Sequence, residues 1–289
     1  MANSFSVIFA GTPDFAVPSL RALVESDSFN VIKVITQPDK PIGRKQIITP
    51  PAIKIEAKKY GLPIWQPINI NKEWEEVDEP FDFFVTVAFG QLLSQEILDS
   101  PRIEAVNLHG SLLPKWRGAS PMQSALLSGD KVTGVTLQKM VKQIDAGDIL
   151  STKEHVMKER ETLESLHDSL AIEGAALLVE TLQKTLNPMP QDESQATHCS
   201  KLAREDGNVD ASNMTAEEID RKVRALVPWP GVTTKFENQT IKLLETSLEE
   251  CDESLPITCA NNSILYIKRL VPAGGKQMTG AAWGRGNKG

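Results

Sequence analysis

The chain has 289 residues, 40% hydrophobic and 24% charged, with a formal net charge of −7; this is a globular composition, long enough for one large and one smaller domain, and it excludes a disordered or fibrous chain. Gly207–Gly289 balances ten Lys and Arg against ten Asp and Glu, so the acidic excess lies wholly before it, and bulk charge does not point to nucleic acid. Cys199, Cys251 and Cys259 form no Cys-x-x-Cys pair, so neither a zinc site nor a disulfide framework is indicated, and no apolar run is long enough to span a membrane; a reducing cytoplasm is expected.

Phe5–Ala10 reads as an apolar strand, closed by Gly11-Thr12-Pro13-Asp14. A helix follows from Asp14, with Phe15, Leu20, Leu23 and Val24 as its apolar face, and then a β-branched strand, Val31–Thr36. Strand, turn, helix and strand make a βαβ unit and predict a parallel sheet. The single glycine of the first turn is not a Gly-x-Gly-x-x-Gly fingerprint, which argues against a dinucleotide. Gln37–Pro51 is too long for an ordinary connection and carries four prolines together with Lys40, Arg44 and Lys45 among Ile42, Ile47 and Ile48. It is either a surface loop or a binding arm whose cations meet phosphates. Ala52–Tyr60 is predicted as a helix, Leu62–Gln66 and Phe83–Ala88 as strands, and Gln91–Asp99 as a short helix.

Glu104–His109 follows as a strand, and alternation puts Asn107 and His109 on one face at its carboxyl end, where open α/β sheets bind their ligands. After Ser111–Pro114 turns the chain, Ser120-Pro121-Met122-Gln123 has the form of a capping box, and Gly129 of a helix stop. Taken locally, Asn107 and His109 are either a catalytic edge or merely a loop-bonding amide and a buried imidazole. Val132–Met140 and Ile149–Val156 read as strands around Lys142–Asp148, a polar loop containing Asp145 and Asp148. Leu163, Leu166, Leu170, Leu177, Leu178, Leu182 and Leu186 form a helical core stripe that Pro188 ends, and Asn187–Lys201 reads as a polar linker. Thr215-Ala216-Glu217-Glu218 is a second capping box, opening a helix that stops at Pro228. A hairpin of Val232–Phe236 and Ile241–Leu244 about Asn238-Gln239, then a strand at Ile264–Val271, predicts a small β-barrel.

Together these motifs resemble the methionyl-tRNA formyltransferase family over nearly the whole chain. The resemblance rests on Phe9-Ala10-Gly11-Thr12-Pro13-Asp14-Phe15, Thr36-Gln37-Pro38-Asp39 with Gly43-Arg44, Asn107-x-His109-Gly110-Ser111-Leu112-Leu113-Pro114, Asp145-Ala146-Gly147-Asp148 and Val227-Pro228-Trp229-Pro230. It implies a Rossmann-like, mostly parallel sheet in a catalytic domain over residues 1–189, a linker over 190–205, and a C-terminal OB-like barrel over 206–289 that binds tRNA. Leu248–Asn262 is shorter than the matching part of most relatives, which implies a barrel lacking a hairpin or strand.

The implied reaction moves a formyl group from 10-formyltetrahydrofolate to methionine on charged initiator tRNA, with no metal, by a monomer off the membrane. Such chemistry needs a donor for an oxyanion and a group to handle the proton of the attacking amine. By the resemblance Asn107 serves the first task and His109 the second, with Asp145 rather than Asp148 orienting the imidazole. Ser111, Leu112, Leu113 and Pro114 would line the folate site, with the backbone around Val87, Phe89 and Gly90 as its second wall. Arg44, Lys40 and Lys45 would contact tRNA. A sister enzyme acting on an amino sugar nucleotide would need neither the basic arm nor the C-terminal domain. A formyl-folate hydrolase would release formate without an amine, and a non-catalytic tRNA-binding module would not need Asn107, His109 and Asp145 together.

Overall fold

The computed structural model describes residues 4–43, 45–74, 80–236 and 239–286, so Arg44 and the turn residue Asn238 lie outside the described residues. The chain begins with β1 (Phe5–Gly11), α1 (Val17–Val24), β2 (Phe29–Ile35), β3 (Lys40–Ile42), β4 (Ile47–Thr49), α2 (Ala52–Lys59), β5 (Ile64–Trp65), α3 (Ile70–Glu73), β6 (Phe83–Val87), α4 (Gln95–Leu98) and β7 (Glu104–His109). It continues with β8 (Arg117–Gly118), α5 (Pro121–Ser128), β9 (Val132–Lys139), β10 (Ile149–Val156), α6 (Leu163–Leu182), β11 (His198–Cys199), α7 (Ala216–Leu226), β12 (Val232–Phe236), β13 (Gln239–Ser247), β14 (Leu255–Thr258), β15 (Ile264–Pro272), β16 (Met278–Thr279) and α8 (Gly280–Gly286). Two compact units result: Met1–Gly118, Val132–Val156 and His167–His198 in one, Ala119–Lys131, Met157–Leu166 and Cys199–Gly289 in the other.

The first unit holds a seven-stranded sheet in the order β10-β9-β7-β6-β1-β2-β5. The pairs from β7 through β5 are parallel, and β9 and β10 run antiparallel at one edge. Val7–Ala10 and Phe83–Val87 are buried residue after residue, as strands covered on both faces must be. From β1 the chain passes to β2 on one side and later returns through β6 on the other. The sheet order therefore switches at β1, and the carboxyl ends of β1, β6 and β7 lie along one edge. Behind that edge a Cβ at Gly174 of α6 would come 2.7 Å from Leu108 Cδ2, so the missing side chain lets α6 press directly on β7.

In the second unit β12, β13, β15, β14 and β16 form an antiparallel sheet. On α7, Ile219, Val223 and Leu226 are buried at helical spacing, and the helix packs on β13 and β15. The Thr215 box forms as the sequence suggests: Thr215 Oγ1 accepts from Glu218 N at 3.3 Å while the Glu218 carboxylate takes the Thr215 N–H at 2.7 Å. Asp220, fully buried on the same helix, accepts from Arg160, Arg224 and Thr246.

Several local expectations change. Ser120 occupies the N-cap of α5 but makes no capping bond; its hydroxyl donates to Ser200 O at 2.5 Å, so long-range packing outcompetes the box with Gln123. The helix expected from Asp14 opens as a 3-10 turn, Asp14–Ala16, before α1. The helix at Gln91 shortens to α4, because Ser94 accepts from Ile97 N and caps it there. Gln37–Pro51 contains a two-stranded hairpin, β3 with β4, turned where Gln46 N donates to Gly43 O at 3.2 Å. Within Leu248–Asn262 the chain forms β14.

Candidate active site

The site begins at the end of β7. Parallel pairing sets Thr86 of β6 beside Asn107, and antiparallel pairing sets Gln138 and Thr136 of β9 beside Asn107 and His109. The Thr86 hydroxyl lies 3.0 Å from Asn107 Oδ1 and 3.1 Å from Val106 O. With Oδ1 as an acceptor, the amide N–H groups of Asn107 are directed away from Thr86.

His109 is 7% exposed. Its Nε2 lies 3.0 Å from Trp116 O, and because a carbonyl only accepts, Nε2 carries a proton. Its Nδ1 faces Asp145 Oδ1 at 3.6 Å, an ion-pair separation rather than a hydrogen bond. The structure thus brings together His109 and Asp145, on the edge that also carries Asn107, whereas Asp148 uses its backbone carbonyl to receive Lys139 N at 2.9 Å.

Asp145 has φ of +53°, a conformation that L-residues other than Asn and Asp seldom adopt. Its Oδ2 accepts from Gly118 N at 2.9 Å and its Oδ1 from Gln138 Nε2 at 3.1 Å. The loop is also welded to β9, since a Cβ on Gly147 would collide with the carbonyl oxygen of Lys139. Gln191, from the segment read as linker, donates through Nε2 to Asp145 O at 2.9 Å and Gly147 O at 2.6 Å.

The turn after β7 is stitched down as well. Thr136 Oγ1 donates to Ser111 O at 2.7 Å and accepts from Leu113 N at 3.0 Å, while Ser111 Oγ donates to Lys115 O at 2.5 Å. Ser111 and Leu113 are buried, and Leu112 and Pro114 half-buried. Across the edge, Val87 and Phe89 point their side chains into the core, and Phe89 O accepts from Thr12 Oγ1 at 2.8 Å. Gly90 is exposed, and among the described residues only Gln37 Nε2 comes near the place of a Cβ, at 3.8 Å. Lys40 and Lys45 are exposed on the separate hairpin, and Arg44 lies outside the described residues.

Sequence reasoning missed Thr86, Gln138 and Gln191. Thr86 was signalled by being the one polar side chain in Phe83–Val87, and Gln138 by sitting on the alternating strand β9. Gln191 carried no local signal. Among the described residues no cluster of His, Cys, Asp or Glu is placed to hold a metal ion, and no helix is long and apolar enough to cross a membrane.

Residues 4–182 match the formyl transferase family and residues 201–288 its C-terminal domain. The chain is 40% identical to methionyl-tRNA formyltransferase of Bacillus cytotoxicus, over 98% of this chain and 96% of that one. It shares its fold with methionyl-tRNA formyltransferase from Clostridium thermocellum, with TM-score 0.60 and 16% identity over 93% of this chain and 98% of that one. It also shares it with an N-formyltransferase from Helicobacter canadensis in complex with folinic acid and dTDP-3-aminofucose, with TM-score 0.67 and 17% identity over 90% of this chain and 98% of that one. With both domains matched and such identity along nearly its full length, the chain belongs to the methionyl-tRNA formyltransferase family.

Proposed function

We propose that the chain moves the formyl group of 10-formyltetrahydrofolate to the amino group of methionine on charged initiator tRNA, as a cytoplasmic monomer. Residues 1–189 hold the folate and the chemistry, 190–205 link, and 206–289 position tRNA. The observation that carries this reading is the His109–Asp145 pair at 3.6 Å on the strand edge of Asn107, in a member of this family.

In the reaction the formyl carbon gains a bond to the amine nitrogen and loses its bond to the folate nitrogen. One proton leaves the amine and one reaches the departing nitrogen. Asn107, its Oδ1 already turned to Thr86, offers N–H donors where negative charge develops on the formyl oxygen. The His109–Asp145 pair carries the proton, and the carboxylate stabilises the imidazolium form. Folate lies against Leu112 and Pro114 and against the backbone of Ser111, Leu113, Val87, Phe89 and Gly90. The exposed face beside Gly90 supports that placement. Lys40 and Lys45, with Arg44 next to Lys45 in the sequence, meet tRNA phosphates; the exposure of both lysines supports this.

The test is to incubate the protein with formyl donor and charged initiator tRNA and look for formylmethionine. Formate released without an amine, or formylation of an amino sugar nucleotide in preference to tRNA, would overturn the reading. In the same assay Arg44→Ala should weaken use of tRNA while folate-analogue binding is kept. Each cation removed from the arm should flatten the log–log salt dependence of tRNA binding by about 0.7–0.9. Arg44→Lys should recover only part, because lysine lacks the bidentate fork.

A further inference from the structure

The segment joining the two sequence halves reaches back into the catalytic edge. Gln191 Nε2 donates to the backbone carbonyls of Asp145 and Gly147, at 2.9 and 2.6 Å, and lies 3.4 Å from Gln138 Oε1. Gln138 in turn donates to Asp145 Oδ1. On its other side Gln191 Oε1 accepts from Arg117 Nε and Nη2 at 3.1 and 2.8 Å. Arg117 is 1% exposed, and its remaining fork donates to both carboxylate oxygens of Glu193, at 3.0 and 2.7 Å. One side-chain amide is therefore pinned between a buried guanidinium and the two carbonyls that flank the turn of the Asp145 loop.

That loop needs pinning. At φ +53° the backbone of Asp145 lies in the left-handed region, which a residue with a side chain keeps only where its surroundings hold it there. The 3.6 Å gap between Asp145 Oδ1 and His109 Nδ1 is sensitive to small loop shifts, because displacement by about 1 Å can cost roughly 10²-fold in rate. We propose that Gln191, clamped by Arg117, which Glu193 holds in turn, is a positioning residue that holds Asp145 against His109. Part of the apparent linker is thereby a working component of the active site. This rests on the assignment of Asp145 to the catalytic pair.

The experiment replaces Gln191 with Met, similar in length but without donor or acceptor, in the full-length chain. Formylation is followed under single-turnover conditions, enzyme in excess, in the parent and in the Asp145→Ala background. In the parent, Gln191→Met should lower the single-turnover rate by about 10–100-fold, while the Kd for a folate analogue and for tRNA, measured separately, stays within about twofold. In the Asp145→Ala background the same change should alter the rate by less than about twofold, because its effect passes through Asp145. Gln191→Glu keeps an acceptor for Arg117 and removes the amide donor, so it guards against misfolding and should lose as much rate. An equal fold loss in both backgrounds, or no rate loss in a folded Gln191→Glu, overturns the proposal. A normal rate for Asp145→Ala would instead overturn the catalytic assignment beneath it.

Discussion

Asp145 shows how the site is held one residue at a time. Both carboxylate oxygens receive hydrogen bonds, from Gly118 N and Gln138 Nε2, yet Oδ1 still faces His109. Glu193, further out, is held below its ordinary carboxyl range by the adjacent Arg117 guanidinium. If Asn107 serves the oxyanion, Asn107→Ala should lower kcat by about 10²–10³ with the fold intact by circular dichroism. His109→Ala and Asp145→Ala should each be severe, and the double variant little worse than either, as expected of groups acting as a unit. Near-normal turnover in any of the three would remove that residue from the mechanism. Two further requirements at this scale are steric: Gly147 keeps the loop against Lys139 O, and Gly174 admits Leu108 behind the strand.

At the scale of elements, two similar sequence signals had opposite fates. The Thr215 box caps α7 in both directions, whereas Ser120 gives its hydroxyl to Ser200 O and leaves α5 without a side-chain cap. Thr215→Ala should therefore destabilise the protein by about 1 kcal/mol in chemical denaturation. The Glu218 carboxyl is held below its ordinary value of 4.5 by the Thr215 N–H and hydroxyl. A lowered folded-state value stabilises the fold fully above the ordinary value, and that contribution is lost as pH falls through the folded one. Glu218→Gln should accordingly flatten the acid limb of stability against pH below 4.5 and leave stability at acid pH nearly unchanged. A parallel downward displacement at every pH would mean that the box contributes nothing through charge.

For the whole molecule, the boundary between sequence halves and the boundary between compact units differ. Ala119–Lys131 and Met157–Leu166 belong with the C-terminal residues: α5 packs on α7, and Arg160 donates to Asp220 and to Thr246 O. A chain cut after Gln195 would strip these segments of their partners and remove Thr197 O, which receives Arg117 N at 2.8 Å. Such a truncation should melt below the full chain by about 5 °C or more, at roughly 2–4 °C per kcal/mol lost. It should also lose tRNA affinity to a greater degree than affinity for a folate analogue. An unchanged melting temperature would show that the catalytic half folds without its C-terminal partner.

Much of this was present in local sequence. Apolar runs at Val7–Ala10 and at Phe83–Val87, the second interrupted only by Thr86, announce strands buried on both faces, and a two-residue period alone puts Asn107 and His109 on one side of β7. Thr215 and Glu218 state their cap outright, because a helix start is a contest among neighbours three residues apart. What tertiary structure decided are the partners brought in from elsewhere in the chain. The antiparallel return of β9 puts Gln138 beside Asn107, Gln191 reaches Asp145 across 46 residues of sequence, and Ser200 outbids the Gln123 box for Ser120. Periodicity records which face an element buries, but not which distant group fills the space opposite. That choice follows from packing and hydrogen-bond satisfaction over the whole fold, and it placed one support of Asp145, Gln191, where the sequence alone reads a linker.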